Sequence, residues 1–276
     1  MNNKVTCVKE FYDLLENFTK EVDSLALFSN IYLLKPEIEQ MVEQGLLVQQ
    51  TQSRLLFLYD KGGYYQCLGI IKLLDLQEKL TSDMPIVFDL DFREELTDAQ
   101  IKGTSLLEKL GFKEVATSVK LHLYFDKLRE SFLADDPNIT IRHAVENDLE
   151  AVDMLWGMAL PPNVYLRLST RELETYIENG QVLIAIINSK IVGALQYEVK
   201  RGVCLFHHVA VDQKYRGHKV ATRLVRYALE LAKNQNARSS AVWVVEENQG
   251  ALLFYENIGY RKETKHTKRF ILEEIK

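Results

Sequence analysis

One segment of the chain, residues 209–236, constrains the fold more strongly than any other. It opens with three apolar residues, passes through a basic turn that contains Gly217, and continues with apolar residues every three to four positions. This order predicts a buried strand, a tight turn and an amphipathic helix. The first amides of such a helix lack intrahelical acceptors and lie at the positive end of its dipole, so they favour a phosphate group. An ordinary solvated turn is the alternative interpretation.

Length and composition indicate a globular chain with two domains. The chain has 276 residues, of which 47% are apolar and 26% are charged, and its net charge is −5. This charge gives no bulk attraction to nucleic acid or an anionic membrane, and no apolar run is long enough to span a bilayer. Charged residues also interrupt the first twenty positions, unlike a signal peptide. We therefore expect a cytoplasmic protein with no nucleic-acid or membrane partner.

The three cysteines, Cys7, Cys67 and Cys204, are widely separated. They form neither a close pair nor a metal-ligand spacing. We expect three core thiols and no metal site.

The hydrophobic periodicity predicts an α/β protein, in which a mixed sheet carries helices on both faces. The Gly62-Gly63 pair predicts a hairpin. The polar segment 131–138 is the predicted linker, so the expected domains are 1–134 and 138–276. The predicted helices cover 8–18, 36–44, 98–110, 146–158, 170–178, the amphipathic part of 209–236, and 250–257. The predicted strands cover 54–59, 64–74, 86–90, 115–125, 139–142, 181–187, 191–199, 203–211, 240–245 and 261–273.

The second half of the chain resembles the GNAT N-acetyltransferase superfamily over about residues 139–273. Two motifs carry the resemblance, at 209–221 and 248–260, and they occur in the family's order. The resemblance implies a GNAT-like acyl-CoA N-acyltransferase fold, with acetyl-CoA as cosubstrate and no metal. It also implies that the strand bearing Val209 splays from the next strand, leaving a groove for the pantetheine arm.

The resemblance assigns the cofactor-binding residues mainly to the first motif. The family's turn binds pyrophosphate through backbone amides, and Gly217 would allow a close approach. Lys214 and Lys219 depart from the residues usual in the family. The implied binding residues are Val209, Ala210, Val211, Tyr215, Arg216, Gly217, His218, Lys219, Val220, Ala221 and Asn248.

Three residues are the candidate catalytic groups. By resemblance, Tyr255 is the general acid for the leaving thiolate, with core packing beside Phe254 as the alternative. Strand alternation puts Leu205, His207 and Val209 on one face and Phe206, His208 and Ala210 on the other. The family often carries its base at the parity of His207. His208 is the second candidate, because a β-bulge would shift the parity.

The first half contains a segment similar to the second motif. Residues 103–113 align without gaps to a segment starting at Ala251, which pairs Gly111 with Gly259 and Leu107 with Tyr255. This indicates two tandem GNAT-like domains, of which the first is degenerate, lacking both the tyrosine and the glycine turn. The alternative is that a helix followed by glycine and an aromatic residue is merely a common helix end.

These patterns predict an N-acetyltransferase that moves an acetyl or short acyl group from acyl-CoA to a primary amine. Because no cysteine stands out as an acyl acceptor, we expect direct transfer in a ternary complex. The alternative is a non-catalytic acyl-CoA-binding regulatory module. The expected acceptor is a small-molecule or peptide amine, and a homodimer is a candidate assembly. Trp156, residues 161–165 and Tyr197 are candidates to line the acceptor pocket.

Overall fold

A computed structural model describes residues 3–20, 22, 27–72, 80, 82–128, 138–161 and 168–273. The chain divides into two compact units. The first unit comprises Met1–Thr117 and Lys265–Lys276, and the second comprises Ser118–Thr264. This division differs from the expected domains 1–134 and 138–276. The predicted linker falls within the second unit, and most of it, 131–137, lies outside the described residues.

The first unit is a sheet with strand order β1-β3-β4-β5-β6-β13, and β2 pairs with β5. Its two buried clusters are centred on Phe88 and Phe57. Thr97 begins α3 with a capping box, in which its hydroxyl accepts from the amide of Gln100. The helices are α1 (Val8–Thr19), α2 (Lys35–Gln44) and α3 (Asp98–Lys109). The strands are β1 (Asn3–Lys4), β2 (Leu27–Ser29), β3 (Leu47–Gln50), β4 (Arg54–Asp60), β5 (Tyr65–Lys72), β6 (Ile86–Arg93) and the end of β13 (Arg261–Leu272).

The second unit has strand order β7-β12-β11-β10-β9-β8. Only the β11–β12 pair is parallel among the pairs described there. The strands are β7 (Lys113–Tyr124), which begins in the first unit, β8 (Thr140–His143), β9 (Val182–Ile187), β10 (Lys190–Lys200), β11 (Val203–Val211) and β12 (Ser239–Val245). The helices are α4 (Leu149–Ala159), α5 (Thr170–Glu178), α6 (Val220–Asn234) and α7 (Gln249–Ile258).

Helices cover both faces of the part of the sheet that lies in the second unit. Helices α6 and α7 bury their apolar residues in one cluster, and α4 and α5 bury theirs in another. Helix α6 lies close to β10, because a Cβ added at Gly193 would stand 2.7 Å from Val220 and 3.0 Å from Leu224. A glycine at that point therefore fixes the start of α6 against the sheet.

The final strand explains why the predicted domain boundary differs from the observed one. Its residues 265–272 pair with β6 over eight positions, and Arg269 reinforces the pairing with two 2.8 Å bonds to Asp89. Residues 118–124 of β7 pair instead with β12. Each of these strands thus begins in one unit and ends in the other. A boundary inside a strand has no linker-like composition, so the sequence does not reveal it.

The sequence predicted most of the regular elements. Helix α5 and strand β11 have the predicted bounds, and the other predicted elements differ mainly by one to three residues at their ends. Three short strands, β1, β2 and β3, were not predicted, because runs of two to four residues carry little periodicity. None of the described helices is both long and apolar enough to cross a membrane.

Candidate functional site

The parallel pair β11–β12 opens into a groove. The two strands pair only from Val203 with Ser239 to Phe206 with Val242. Beyond that point β11 continues to Val211 and β12 to Val245, with no pairing between them in the part of the chain that the structure describes. The predicted splay is therefore present, and it leaves backbone groups of both strands facing a shared space.

The groove leads to the glycine turn. After β11, a 3₁₀ turn at Gln213–Tyr215 begins with Asp212, whose carboxylate accepts from the amide of Lys214 at 3.0 Å. Lys190 donates to the same carboxylate at 2.9 Å, and this bond holds the pKa of Asp212 below its ordinary value. The cap fixes the path by which the chain leaves the strand.

The turn exposes its backbone. Gly217 has φ +84° and Lys219 has φ +59°, which is the left-handed region, and α6 begins at Val220. A Cβ added at Gly217 would meet nothing within 4 Å, so the space beside it is open. The first amides of α6 point out of the helix without an intrahelical acceptor. Basic residues surround them, and all are exposed: Lys214, Arg216, His218 and Lys219.

The other predicted binding residues divide between the two faces. Val209 and Val211 pack against the cluster of α6 and α7, as does Tyr215, whereas Ala210 is buried in the cluster of α4 and α5. Asn248 caps α7, and its side-chain oxygen accepts from the amide of Ala251 at 3.0 Å. The structure thus brings the first motif to the end of the groove.

The strand alternation predicted for the two histidines is wrong. The β10–β11 register runs from Leu195 opposite Val209 to Tyr197 opposite Phe206, so one residue, Gln196, faces both His207 and His208. This is a β-bulge, the feature that shifts side-chain parity. Phe206 and Val209, expected on opposite faces, both pack toward α6 and α7.

Because of the bulge, both histidines lie beside side chains on the same face of β10, those of Gln196 and Glu198. His208 Nδ1 is 2.5 Å from Gln196 Oε1, and its ring centroid is 5.1 Å from that of Trp156 on α4. His207 is more exposed, and its Nε2 is 3.2 Å from Glu198 Oε1. Each ring therefore has one nitrogen engaged by β10.

Tyr255 lies on α7 and is 4% exposed, between Phe254 and Tyr260 at ring distances of 5.0 and 5.2 Å. Its burial raises the pKa of its hydroxyl well above the ordinary value. The hydroxyl is therefore fully protonated at neutral pH. Such a group can donate a proton to an anion that forms beside it.

The candidate pocket residues have different positions. Trp156 is fully buried on the histidine side, whereas Tyr197 is buried on the opposite face with Cys204. Tyr197 therefore does not line an acceptor pocket on the histidine side. Residues 162–165 lie outside the described residues.

The cysteines offer no reactive thiol at the groove. Cys67 and Cys204 are fully buried, and burial raises the pKa of the Cys204 thiol to about 12. Cys7, predicted as a core thiol, is exposed at the residue preceding α1. No cluster of three metal-ligating side chains occurs among the described residues.

The first unit has an equivalent parallel pair, but its groove is filled. Among the described residues, strands β5 and β6 pair only from Tyr65 to Cys67 of β5, and residues 70–72 of β5 pair with β2. Asn30 then bridges the two separated strands: its amide nitrogen donates to the carbonyls of Cys67 and Asp89 at 2.9 and 3.0 Å, and its oxygen accepts from Gly69 at 2.7 Å. The chain itself occupies this groove.

Helix α3 is shaped to receive the same segment. A Cβ added at Gly103 would stand 2.1 Å from the ring of Phe28, which also stacks on Phe88 at 5.6 Å. Leu107, the counterpart of Tyr255, is buried in this cluster. The first unit therefore has an aliphatic side chain and a packed segment where the second has a tyrosine and an open groove.

Three polar residues that shape these sites were not predicted: Asn30, Tyr176 and Gln196. Asn30 and Gln196 are only 6% and 4% exposed. A polar residue within an apolar strand run, such as Gln196 after Ala194-Leu195, is the one signal that could have marked them, because buried polar groups require partners.

Comparisons with known proteins agree with this geometry. Residues 150–260 match the model of the Acetyltransferase (GNAT) family. An uncharacterised N-acetyltransferase of Methanocaldococcus jannaschii is 38% identical over 63 residues, which are 23% of this chain and 28% of that protein. N-alpha-acetyltransferase 30 of Schizosaccharomyces pombe is 30% identical over 82 residues, 28% of this chain and 55% of that protein. The chain thus spans about half or less of the length of these relatives.

A solved structure is similar over almost the whole chain. It is a tandem GNAT protein from the clavulanic acid biosynthesis pathway, with a TM-score of 0.60 at 12% identity, covering 99% of this chain and 98% of that one. This likeness shows the fold: two GNAT-like domains in tandem, as the sequence predicted.

The filled groove of the first unit makes Asn30→Ala a sharp test. The substitution leaves two carbonyls and one amide without their side-chain partner, at a cost of about 2–3 kcal/mol. Amide hydrogen exchange in β5 should therefore accelerate about thirtyfold or more. Asn234→Ala, at an exposed site in the last turn of α6, is the control and should leave exchange in β5 unchanged. Unchanged exchange in the Asn30 variant would contradict the bridging role.

Proposed function

We propose that residues 150–260, which match the model of the Acetyltransferase (GNAT) family, form a domain of this family and that the chain transfers an acetyl or short acyl group from acyl-CoA to a primary amine. The observation that carries the proposal is the open groove between β11 and β12, which runs into the turn at Gly217. An extended arm with amide groups can lie between the two strands beyond their last pair and hydrogen-bond to strand backbone, and its pyrophosphate can bind the turn amides.

The proposed reaction is direct transfer in a ternary complex. The amine nitrogen attacks the thioester carbonyl carbon, a C–N bond forms and the C–S bond breaks. The attacking nitrogen loses one proton to a base, and the departing thiolate gains one from an acid. We assign the acid to Tyr255, which is protonated at neutral pH.

We assign the base to His208, with His207 as the second candidate. The bulge shifts the parity of β11, which was the condition for preferring His208. Its Nδ1 faces the Gln196 amide oxygen, so in the neutral ring Nε2 is the nitrogen that carries the lone pair. A neutral imidazole suits this role near pH 7.

The proposed acceptor is a small-molecule or peptide amine. One similar protein is named as an N-alpha-acetyltransferase, which favours a peptide amino group as the first acceptor to test. Glu198 on the histidine side would attract a protonated amine. The second candidate function is a regulatory module that binds acyl-CoA without turnover. The buried Tyr255 and the two histidines favour the enzyme.

Gly217→Ala should weaken acetyl-CoA binding about tenfold or more, because the added methyl enters the space that the pyrophosphate would approach. Gly202→Ala is a matched control, since Gly202 also has a left-handed backbone, φ +78°, with nothing within 4 Å of its Cβ. Calorimetry should show normal affinity for the control. Equal affinities for the two folded variants would remove the turn from the binding site.

The activity is tested by thiol release from saturating acetyl-CoA across a panel of amines and amino-terminal peptides. His208→Gln should lose activity most near pH 7 and recover in part at high pH, where the amine deprotonates without help. His207→Gln should keep a profile closer to the wild type. The reverse order would transfer the base to His207. Binding without thiol release for any amine would favour the regulatory module.

A further inference from the structure

The bulge in β11 places Gln196 at the centre of a buried polar network. Gln196 is 4% exposed, and its side chain interacts with two different elements, β11 and α5. The oxygen faces His208 Nδ1 at 2.5 Å, and the side chain also hydrogen-bonds to the hydroxyl of Tyr176 on α5. A glutamine amide can accept a hydrogen bond through its oxygen and donate one through its nitrogen without carrying a charge.

The orientation of this amide determines the state of the imidazole. An amide oxygen can only accept, so a neutral His208 that faces it must carry its proton on Nδ1. The lone pair then resides on Nε2. The amide nitrogen is left to donate to the hydroxyl oxygen of Tyr176, a bond that acts to lower the pKa of that hydroxyl against the raising effect of burial.

We propose that Gln196 is a positioning residue that holds His208 in the tautomer whose Nε2 can accept a proton, and that Tyr176 fixes the orientation of the Gln196 amide. This inference rests on the proposed function for its consequence in catalysis. The tautomer itself is a property of the free protein. Trp156 completes the arrangement by packing against the ring, which limits its rotation.

The neighbouring histidine shows what the glutamine provides. His207 faces the carboxylate of Glu198 at 3.2 Å and lies nearer to solvent. A carboxylate favours the protonated imidazole, whereas a neutral amide orders the ring without favouring its charged form. Other titratable groups near Tyr176 are Glu172 on α5 and Glu198 on β10. A histidine that acts as a base must be in its neutral form, so a neutral amide is a better partner for the imidazole than a carboxylate.

The first test measures the tautomer by ¹⁵N NMR of histidine-labelled full-length protein, without acetyl-CoA. The wild-type His208 should carry its proton on Nδ1. Gln196→Met, of similar length, should abolish this preference, and Tyr176→Phe should weaken it without altering the strands. Glu198→Gln, which removes the carboxylate beside His207, is the control, and it should leave the His208 tautomer unchanged. A wild-type proton on Nε2 would overturn the proposal, even in an active enzyme.

The second test measures the catalytic consequence. Gln196→Met should lower kcat about tenfold or more with KM for acetyl-CoA unchanged, as expected when a base presents the wrong tautomer. Gln196→Glu keeps an acceptor at Nδ1 but favours the imidazolium, so it should retain activity while the acidic limb of the pH–rate profile moves to higher pH. Unchanged profiles for both variants would contradict the positioning role. Complete inactivity of the wild type would overturn the proposed function and leave the NMR result standing.

Discussion

The structure of the second unit depends on the point at which β11 and β12 stop pairing. Up to Phe206 and Val242 the two strands form an ordinary parallel ladder, and beyond them no pairing between the two strands occurs among the described residues. Backbone groups without partners require water or a ligand. The bulge opposite Gln196 lies immediately after the last pair of this ladder, and it turns both histidines toward one face. Groove and candidate base therefore have a common origin.

The first unit shows the same constraint with a different outcome. Its parallel pair ends after three residue pairs, compared with four in the second unit, and the chain supplies its own partner: β2 pairs with β5, and Asn30 bonds to both strands. Phe28 packs where Gly103 has no side chain. The first unit thus fills the space between its separated strands with its own residues, whereas the second unit leaves that space open. This contrast gives the tandem architecture a physical meaning: one domain is structural at this position, and one has room for a ligand.

The sequence predicted features that depend on local chemistry. The turn at Gly217 follows from a glycine between a strand and an amphipathic helix, and the structure has it where expected. Alternation along β11 failed at His207 and His208, because a bulge depends on the register of two strands and not on one strand's pattern. The boundaries between the units, at 117–118 and 264–265, lie within strands and depend on long-range strand pairing, which the composition of a linker cannot indicate. Gln196 and Asn30 were missed for the same reason, since their partners are distant in sequence.

The central claim is that the second unit has an open groove, proposed to bind acyl-CoA, whereas the equivalent groove of the first unit is filled by the chain itself. Calorimetric titration of the full-length chain with acetyl-CoA measures this most directly, because the number of equivalents bound counts the open grooves. We expect acetyl-CoA binding to saturate at one equivalent per chain. Saturation at two equivalents, or no binding at all, would contradict it.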